Sequence, residues 1–321
     1  AGLSGTIVET ADLGLPSLAG ITGGQSDADL TKLITGSNTA RVWYAGEDKA
    51  RVALLGALGE TDVIRNGSDV WMWKSADNSA AHYTIPAGAG RKATPKALPA
   101  GVPATPQEAA DAALAAIDPS TRVTTTGAAS VAGRDAYELV LAPKDSASLV
   151  GQVRLAIDAK THVPLRVEVY AKGANNPAVR VAFQQISFTV PDAQQFAFHP
   201  PAGAKVTTEK PGDLQKDAAK AKAKAEAKAP AKKPSDLSRP TVVGTGWTSV
   251  LVAKMPAGNA TGKGTEAATA QGLVNALPKV SGSWGSGHLL SGSLFSALIT
   301  DDGKVLIGAV SPEKLYEAAG K

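Results

Sequence analysis

Not one of the 321 residues is a cysteine. That excludes a disulfide framework, a thiolate metal site and a cysteine nucleophile. Histidine occurs only four times, at His82, His162, His199 and His288, and no two of these stand one helical turn apart as a paired ligand set on a helix requires. There is no HExxH, no EF-hand loop and no nucleophile-elbow GxSxG. No stretch reaches the ~18 consecutive apolar residues that a membrane-spanning helix needs. The formal net charge of +4 is small, and much of the excess lysine sits in one segment, so the balance does not argue for nucleic acid. Ala1 is preceded by no initiator methionine, basic n-region or apolar h-region, so the chain reads as a product whose targeting segment has been removed.

What is present is mostly short extended sequence between turn residues. Ser4 to Val8, Thr39 to Ala45, Arg51 to Leu55 and Thr61 to Asn66 read as strands, and Asn66-Gly67 as a tight turn into Asp69 to Trp73. Ala80 to Ile85 completes this run. A proline-rich break from Pro86 to Pro103 leads into one helix, with Thr105 as N-cap, Pro106 at the first helical position and Glu108 three after the cap. Ala109 to Ile117 continues it and Asp118-Pro119 stops it.

Four segments then alternate clearly. Tyr137, Leu139 and Leu141 share one face of a strand, as do Val153, Leu155 and Ile157. Leu165, Val167 and Val169 alternate with Arg166 and Glu168, and Val179, Val181 and Phe183 with Arg180 and Gln184. After Gln184-Gln185 the apolar phase moves to Ile186, Phe188 and Val190, which a bulge or a bend near Gln185 explains. These strands read as one large antiparallel sheet, apolar on one side.

Lys205 to Pro240 is rich in lysine, alanine and proline and has almost no large apolar residue, so it cannot bury a core. It reads as a solvated linker, or as a basic tether for anionic lipid or wall polymer. Folded sequence resumes at Thr241, with a strand around Trp247 and a short helix from Ala267 to Leu277. A hairpin follows across Asp301-Asp302-Gly303, then a last helix from Ser311. The expected organisation is one domain over 1–207, a disordered linker over 208–240, and strands and helices over 241–321 that finish the same sheet.

Two near-motifs are set aside. Gly258 to Lys263 is one residue short of a phosphate loop, and Gly264 stands where a magnesium-binding hydroxyl belongs. Asp301 and Asp302 are paired carboxylates, but a hairpin turn takes Asp-Gly for backbone reasons. The inventory gives no acid, base and nucleophile together, so neither an enzyme nor a cofactor is expected.

Asp158 to Val169 resembles the D-x-x-T-x-x-P-x-x-V-x-V hairpin of the LolA/RseB superfamily of lipoprotein carriers and envelope regulators. Val181 to Phe188, with Phe196-Ala197-Phe198-His199-Pro200-Pro201-Ala202-Gly203, is similar to that superfamily's terminal F-x-x-I and F-x-F-x-P-P-x-G run. Val42 to Tyr44, Ile64 to Gly67 and Val70 to Trp73 resemble strands of its RseB-like branch. The section from Thr241 looks like an extension in actinobacterial members. The resemblance implies an α+β, mainly antiparallel fold: a strongly curved half-barrel sheet, apolar on its concave side and partly plugged by helices. It also implies a secreted, extracytoplasmic protein at the outer face of the cytoplasmic membrane.

The groove candidates are Trp43, Trp71, Trp73, Val153, Leu155, Ile157, Val167, Val169, Val181 and Phe183. Each is weighed against ordinary core packing, which is where such residues more often lie. The leading expectation is a carrier or chaperone that holds a lipid or lipoprotein acyl chain. Two alternatives stay open: a regulatory module contacting a membrane-anchored envelope protein, and an accessory subunit of a surface assembly. Burying a sixteen-carbon chain is worth on the order of 12 kcal/mol gross, much of it offset by ordering and association.

Overall fold

The computed structural model describes residues 2–15, 35–56, 59–85, 119–209, 240–254, 272 and 274–320. The helix expected over 105–117 lies outside them. Of the helix expected over 267–277, the described residues 272 and 274–276 are helical.

Two sheets organise the chain. The first begins with β1 (Leu3–Asp12), β2 (Thr35–Tyr44), β3 (Lys49–Gly56), β4 (Gly59–Asn66), β5 (Asp69–Lys74) and β6 (Ser79–Thr84). It continues through β7 (Thr121–Val131), β8 (Arg134–Pro143), β9 (Val150–Asp158), β10 (Pro164–Ala171), β11 (Pro177–Ser187) and β12 (Lys205–Glu209). The strand order is β12-β6-β5-β4-β3-β2-β1-β11-β10-β9-β8-β7. All neighbours are antiparallel except β12 on β6. β1 joins the two meanders, pairing with β2 on one side and β11 on the other. The sheet is curved and does not close, which is the half-barrel architecture.

Turn chemistry holds the hairpins. Asn66 pairs with Asp69, and Gly67 takes a φ of 65° that a residue with a side chain adopts only at a cost. At the β9–β10 turn, Asp158 accepts hydrogen bonds from the backbone N–H groups of Lys160 (3.1 Å) and Thr161 (2.7 Å) and from the Thr161 hydroxyl (2.8 Å). His162 sits there with a φ of 59°, a turn residue as its sequence context suggests. The phase change in β11 is a bulge: Thr6 pairs with Gln185 but Ile7 with Phe183, leaving Gln184 unpaired. The extra residue keeps Ile186, opposite Gly5, on the same face as Phe183. A Cβ on Gly5 would stand 2.6 Å from the Gln185 carbonyl and 2.8 Å from the Phe183 ring, so only glycine lets that ring lie across β1.

The strands from Thr241 onward do not finish this sheet. β13 (Thr241–Val243), β14 (Val250–Lys254), β15 (Lys279–Gly282), β16 (Gly285–Ser291), β17 (Ser296–Thr300) and β18 (Lys304–Gly308) form their own six-stranded antiparallel sheet. The expected strand around Trp247 is interrupted by a 3-10 turn at Gly246–Thr248. Helix α1 (Pro312–Ala319) covers one face, burying Leu315, Ala318 and Ala319 against Val250, Leu298, Leu306 and Val310. This core is separate because its rows pair only among themselves, from β13 through β15. The sheets meet where the Leu149 N–H donates to the Ala309 carbonyl (2.9 Å) and Ser311 to Ala147 (3.2 Å). A further contact runs from the Ser293 N–H to the Leu13 carbonyl (2.7 Å), and the Trp247 indole donates to the Thr121 hydroxyl (2.7 Å).

Candidate functional site

Directly paired residues of neighbouring strands point to the same face, so the register sorts the large sheet's side chains. One row runs Val179, Val169, Val153, Leu141 and Val123; the next runs Val181, Val167, Leu155 and Leu139. Ile157 stands beside Tyr137 in the same set. In the other meander, Ile186, Gly5, Val42, Val52, Val63 and Met72 form a row on this same face. Much of it is open to solvent. Val52, Leu54, Val63, Val123, Tyr137 and Val181 are 40, 54, 42, 36, 63 and 38% exposed, and all six lie on this face. Isolated exposed apolar residues need no explanation, but a set on one face of one sheet does.

The opposite face is charged and internally paired. Glu138 and Glu168 are each only 7% exposed, so burial demands partners for them. Glu138 accepts from Arg166 (2.6 Å) and from the Thr126 hydroxyl (2.8 Å). Glu168 accepts from the Tyr170 hydroxyl (3.1 Å) and pairs with Arg180 at 3.2 Å. Arg154 lies over the Tyr170 ring; burial, and then the bond to Glu168, push that phenol's pKa up. Asp158 is ion-paired with Arg134. That pairing, aided by the Thr161 and Lys160 bonds, holds its carboxyl well below the usual range against the opposing effect of burial.

The ten groove candidates divide between these faces. Val153, Leu155, Ile157, Val167, Val169, Val181 and Phe183 share the apolar face. Trp43, Trp71 and Trp73 do not join them. Their register partners are Arg51, Ile64 and Asp62, on the charged face. Trp71 stacks on His82 with ring centroids 4.3 Å apart, and Phe198 lies 5.3 Å from Trp71 and 6.0 Å from Trp73. Arg51 covers Trp43 at 5.1 Å and is ion-paired with the buried Asp62. The 3-10 turn Ala193–Phe196 packs on β3 and β4 and buries Phe196 to 1% exposure. The F-x-F motif thus clamps the charged face, and the tryptophans belong to that clamp.

Val42, Val52, Leu54 and Val63 are not among the candidates that the sequence singles out. The alternation Arg51-Val52-Ala53-Leu54 carries the signal, but tryptophan, as the larger apolar group, outweighs it in a reading by residue type. Among the described residues no cluster of histidine, aspartate and glutamate could hold a metal ion, and no helix is long and apolar enough to cross a membrane.

An open, curved antiparallel sheet with one apolar and one ion-paired face is a half-barrel of the RseB-like kind. The family model of the MucB/RseB N-terminal domain matches residues 34–202, just over half of the chain, and the chain belongs to that family. None of the curated proteins matches it. Similar solved structures include the MucA/MucB complex of Pseudomonas aeruginosa, at 16% identity and a TM-score of 0.42 over 99% of this chain and 91% of that one. An uncharacterized conserved protein of Thermus thermophilus is 13% identical, with a TM-score of 0.33 over 65% and 91%. A LolA superfamily protein of Nitrosomonas europaea is 11% identical, with a TM-score of 0.22 over 61% and 90%. These likenesses are too distant to carry function.

Proposed function

We propose that the chain is an extracytoplasmic binding module whose apolar sheet face receives the acyl chains of a lipid or lipoprotein. The observation that carries this reading is the set of apolar rows on one face, exposed at Leu54, Val63, Tyr137 and Val181. Burial of each acyl methylene there contributes about 0.8 kcal/mol. The charged face offers no comparable surface, because its buried carboxylates are already occupied by arginines. No catalytic step is assigned to any residue.

Membership in the MucB/RseB family supports a second reading, a regulatory module that contacts a membrane-anchored envelope protein. MucB of Pseudomonas aeruginosa has been seen in complex with MucA.

A fluorescent polyene fatty acid titrated into the full chain tests the first reading. Saturable enhancement is expected, with affinity reduced about tenfold or more when Leu54 and Val181 are both replaced by aspartate, since each new carboxylate must be desolvated. A Trp73→Ala variant retains binding. No enhancement, or enhancement indifferent to the aspartates, overturns the reading.

A further inference from the structure

Every open sheet has edges, and an edge is a row of unpaired backbone donors and acceptors that a protein must blunt or use. Among the described residues, three of the four edges are blunted. β12 is five residues long and carries Lys205 at its start. β13 and β15 have only three and four residues. The fourth is different. β7 runs for eleven residues, Thr-Arg-Val-Thr-Thr-Thr-Gly-Ala-Ala-Ser-Val, with Arg122 its only charge. Residues 122–128 are all exposed. Among the described residues β7 pairs only with β8. Threonine and valine favour extended structure, and no lysine or proline guards the strand. The one irregularity is a bulge at Gly127, which leaves 121–126 as a regular stretch.

We infer that β7 is a docking edge at which an extended segment of another polypeptide adds as a further strand of the large sheet. This rests on the second functional reading only in that the occupant is a polypeptide. The edge itself describes the segment. On the apolar face it would extend rows ending in Val123 and Thr125; on the charged face it would lie beside Arg122, Thr124 and Thr126. The Thr126 hydroxyl already donates to Glu138, and that carboxylate takes its cation from Arg166 rather than from β7. Arg122 has no such partner among the described residues, and Lys144 lies nearby through its bonds to Pro119 and Ser120. The fitting segment therefore alternates apolar and hydroxyl residues and carries a carboxylate level with Arg122. β7 contains no acidic residue, so a second copy of this strand could not supply that carboxylate.

Two acetylated peptides test the inference on the full chain: Glu-Val-Thr-Val-Thr-Val-Thr and its reverse, Thr-Val-Thr-Val-Thr-Val-Glu. Hydrogen–deuterium exchange is followed with and without each. One of them is expected to slow exchange in 121–126, the choice reporting whether the added strand is parallel or antiparallel. Arg122→Glu should weaken that peptide about fivefold, the scale of an exposed ion pair removed and reversed. A lysine in place of the peptide's glutamate should restore it. Thr124→Pro and Thr125→Pro form a pair: the one whose N–H points outward should abolish binding with melting unchanged. Protection elsewhere than β7 overturns the edge while leaving a polypeptide partner in place. Protection by neither peptide overturns it, as does concentration-dependent dimerisation lost in the proline variant, which would make the occupant a second copy.

Discussion

Asp158 shows how one motif residue can serve structure rather than binding. The residue is 1% exposed, and its carboxylate collects five donor groups, from Arg134 (twice), Thr161 (twice) and Lys160. Its pKa is lower in the folded chain than the ordinary value of 3.8. A depressed carboxylate contributes stability that is fully present above the unfolded pKa and lost as pH falls through the folded one. Asp158→Asn should therefore cost about 2 kcal/mol near neutral pH. Chemical denaturation at a series of pH values checks this: the gap between wild type and variant should narrow only below about pH 4. The tryptophans make the complementary case. Trp71→Ala should destabilise by about 3 kcal/mol, as large-to-small changes at packed sites do, and leave acyl binding intact once the folded fraction is matched.

At the scale of elements, strands with one buried face are legible because burial imposes alternation. Val153 to Ile157 and Val179 to Phe183 announce themselves in this way, and so does the slip of phase that turns out to be the bulge at Gln184. Deleting Gln184 should leave Phe183, Gln185 and Ile186 in plain alternation, with Ile186 still opposite Gly5 on the apolar face, so the melting temperature should change by no more than a few degrees. Gly5→Ala should cost about 1–3 kcal/mol through overpacking on the Phe183 ring and the Gln185 carbonyl, measurable by urea titration. β7 gives no such signal. Its face residues are nearly all exposed, so threonine, alanine and serine suit either side and no period survives in Thr121–Val131. The feature that hides the strand from a sequence reading is the one that leaves its edge open.

Across the whole molecule, the linker expected over 208–240 lies outside the described residues except at its ends, where 208 and 209 belong to β12, and the sequence does not show that a second sheet follows. The strands Val250–Lys254 and Lys304–Gly308 have ordinary alternating character, and alternation says nothing about which strand is the neighbour; pairing does. The groove is legible to the same extent. Alternation finds the apolar face of β9, β10 and β11, while the side taken by Trp43, Trp71 and Trp73 depends on register across β2 to β6. The two sheets are tied by backbone hydrogen bonds at Leu149–Ala309, Ser311–Ala147 and Ser293–Leu13. Scanning calorimetry should therefore record one endotherm whose calorimetric and van't Hoff enthalpies agree; two resolved endotherms would show that the sheets unfold independently.

The apolar face, and not the tryptophan-bearing one, is the surface proposed to hold acyl chains. Native mass spectrometry of the full chain mixed with a phospholipid in detergent-free buffer tests this most directly. A lipid adduct is expected in the wild type and in Trp71→Ala, and none in the Leu54→Asp, Val181→Asp variant. No adduct in the wild type, or an adduct that survives the aspartates and is lost with Trp71, would contradict it.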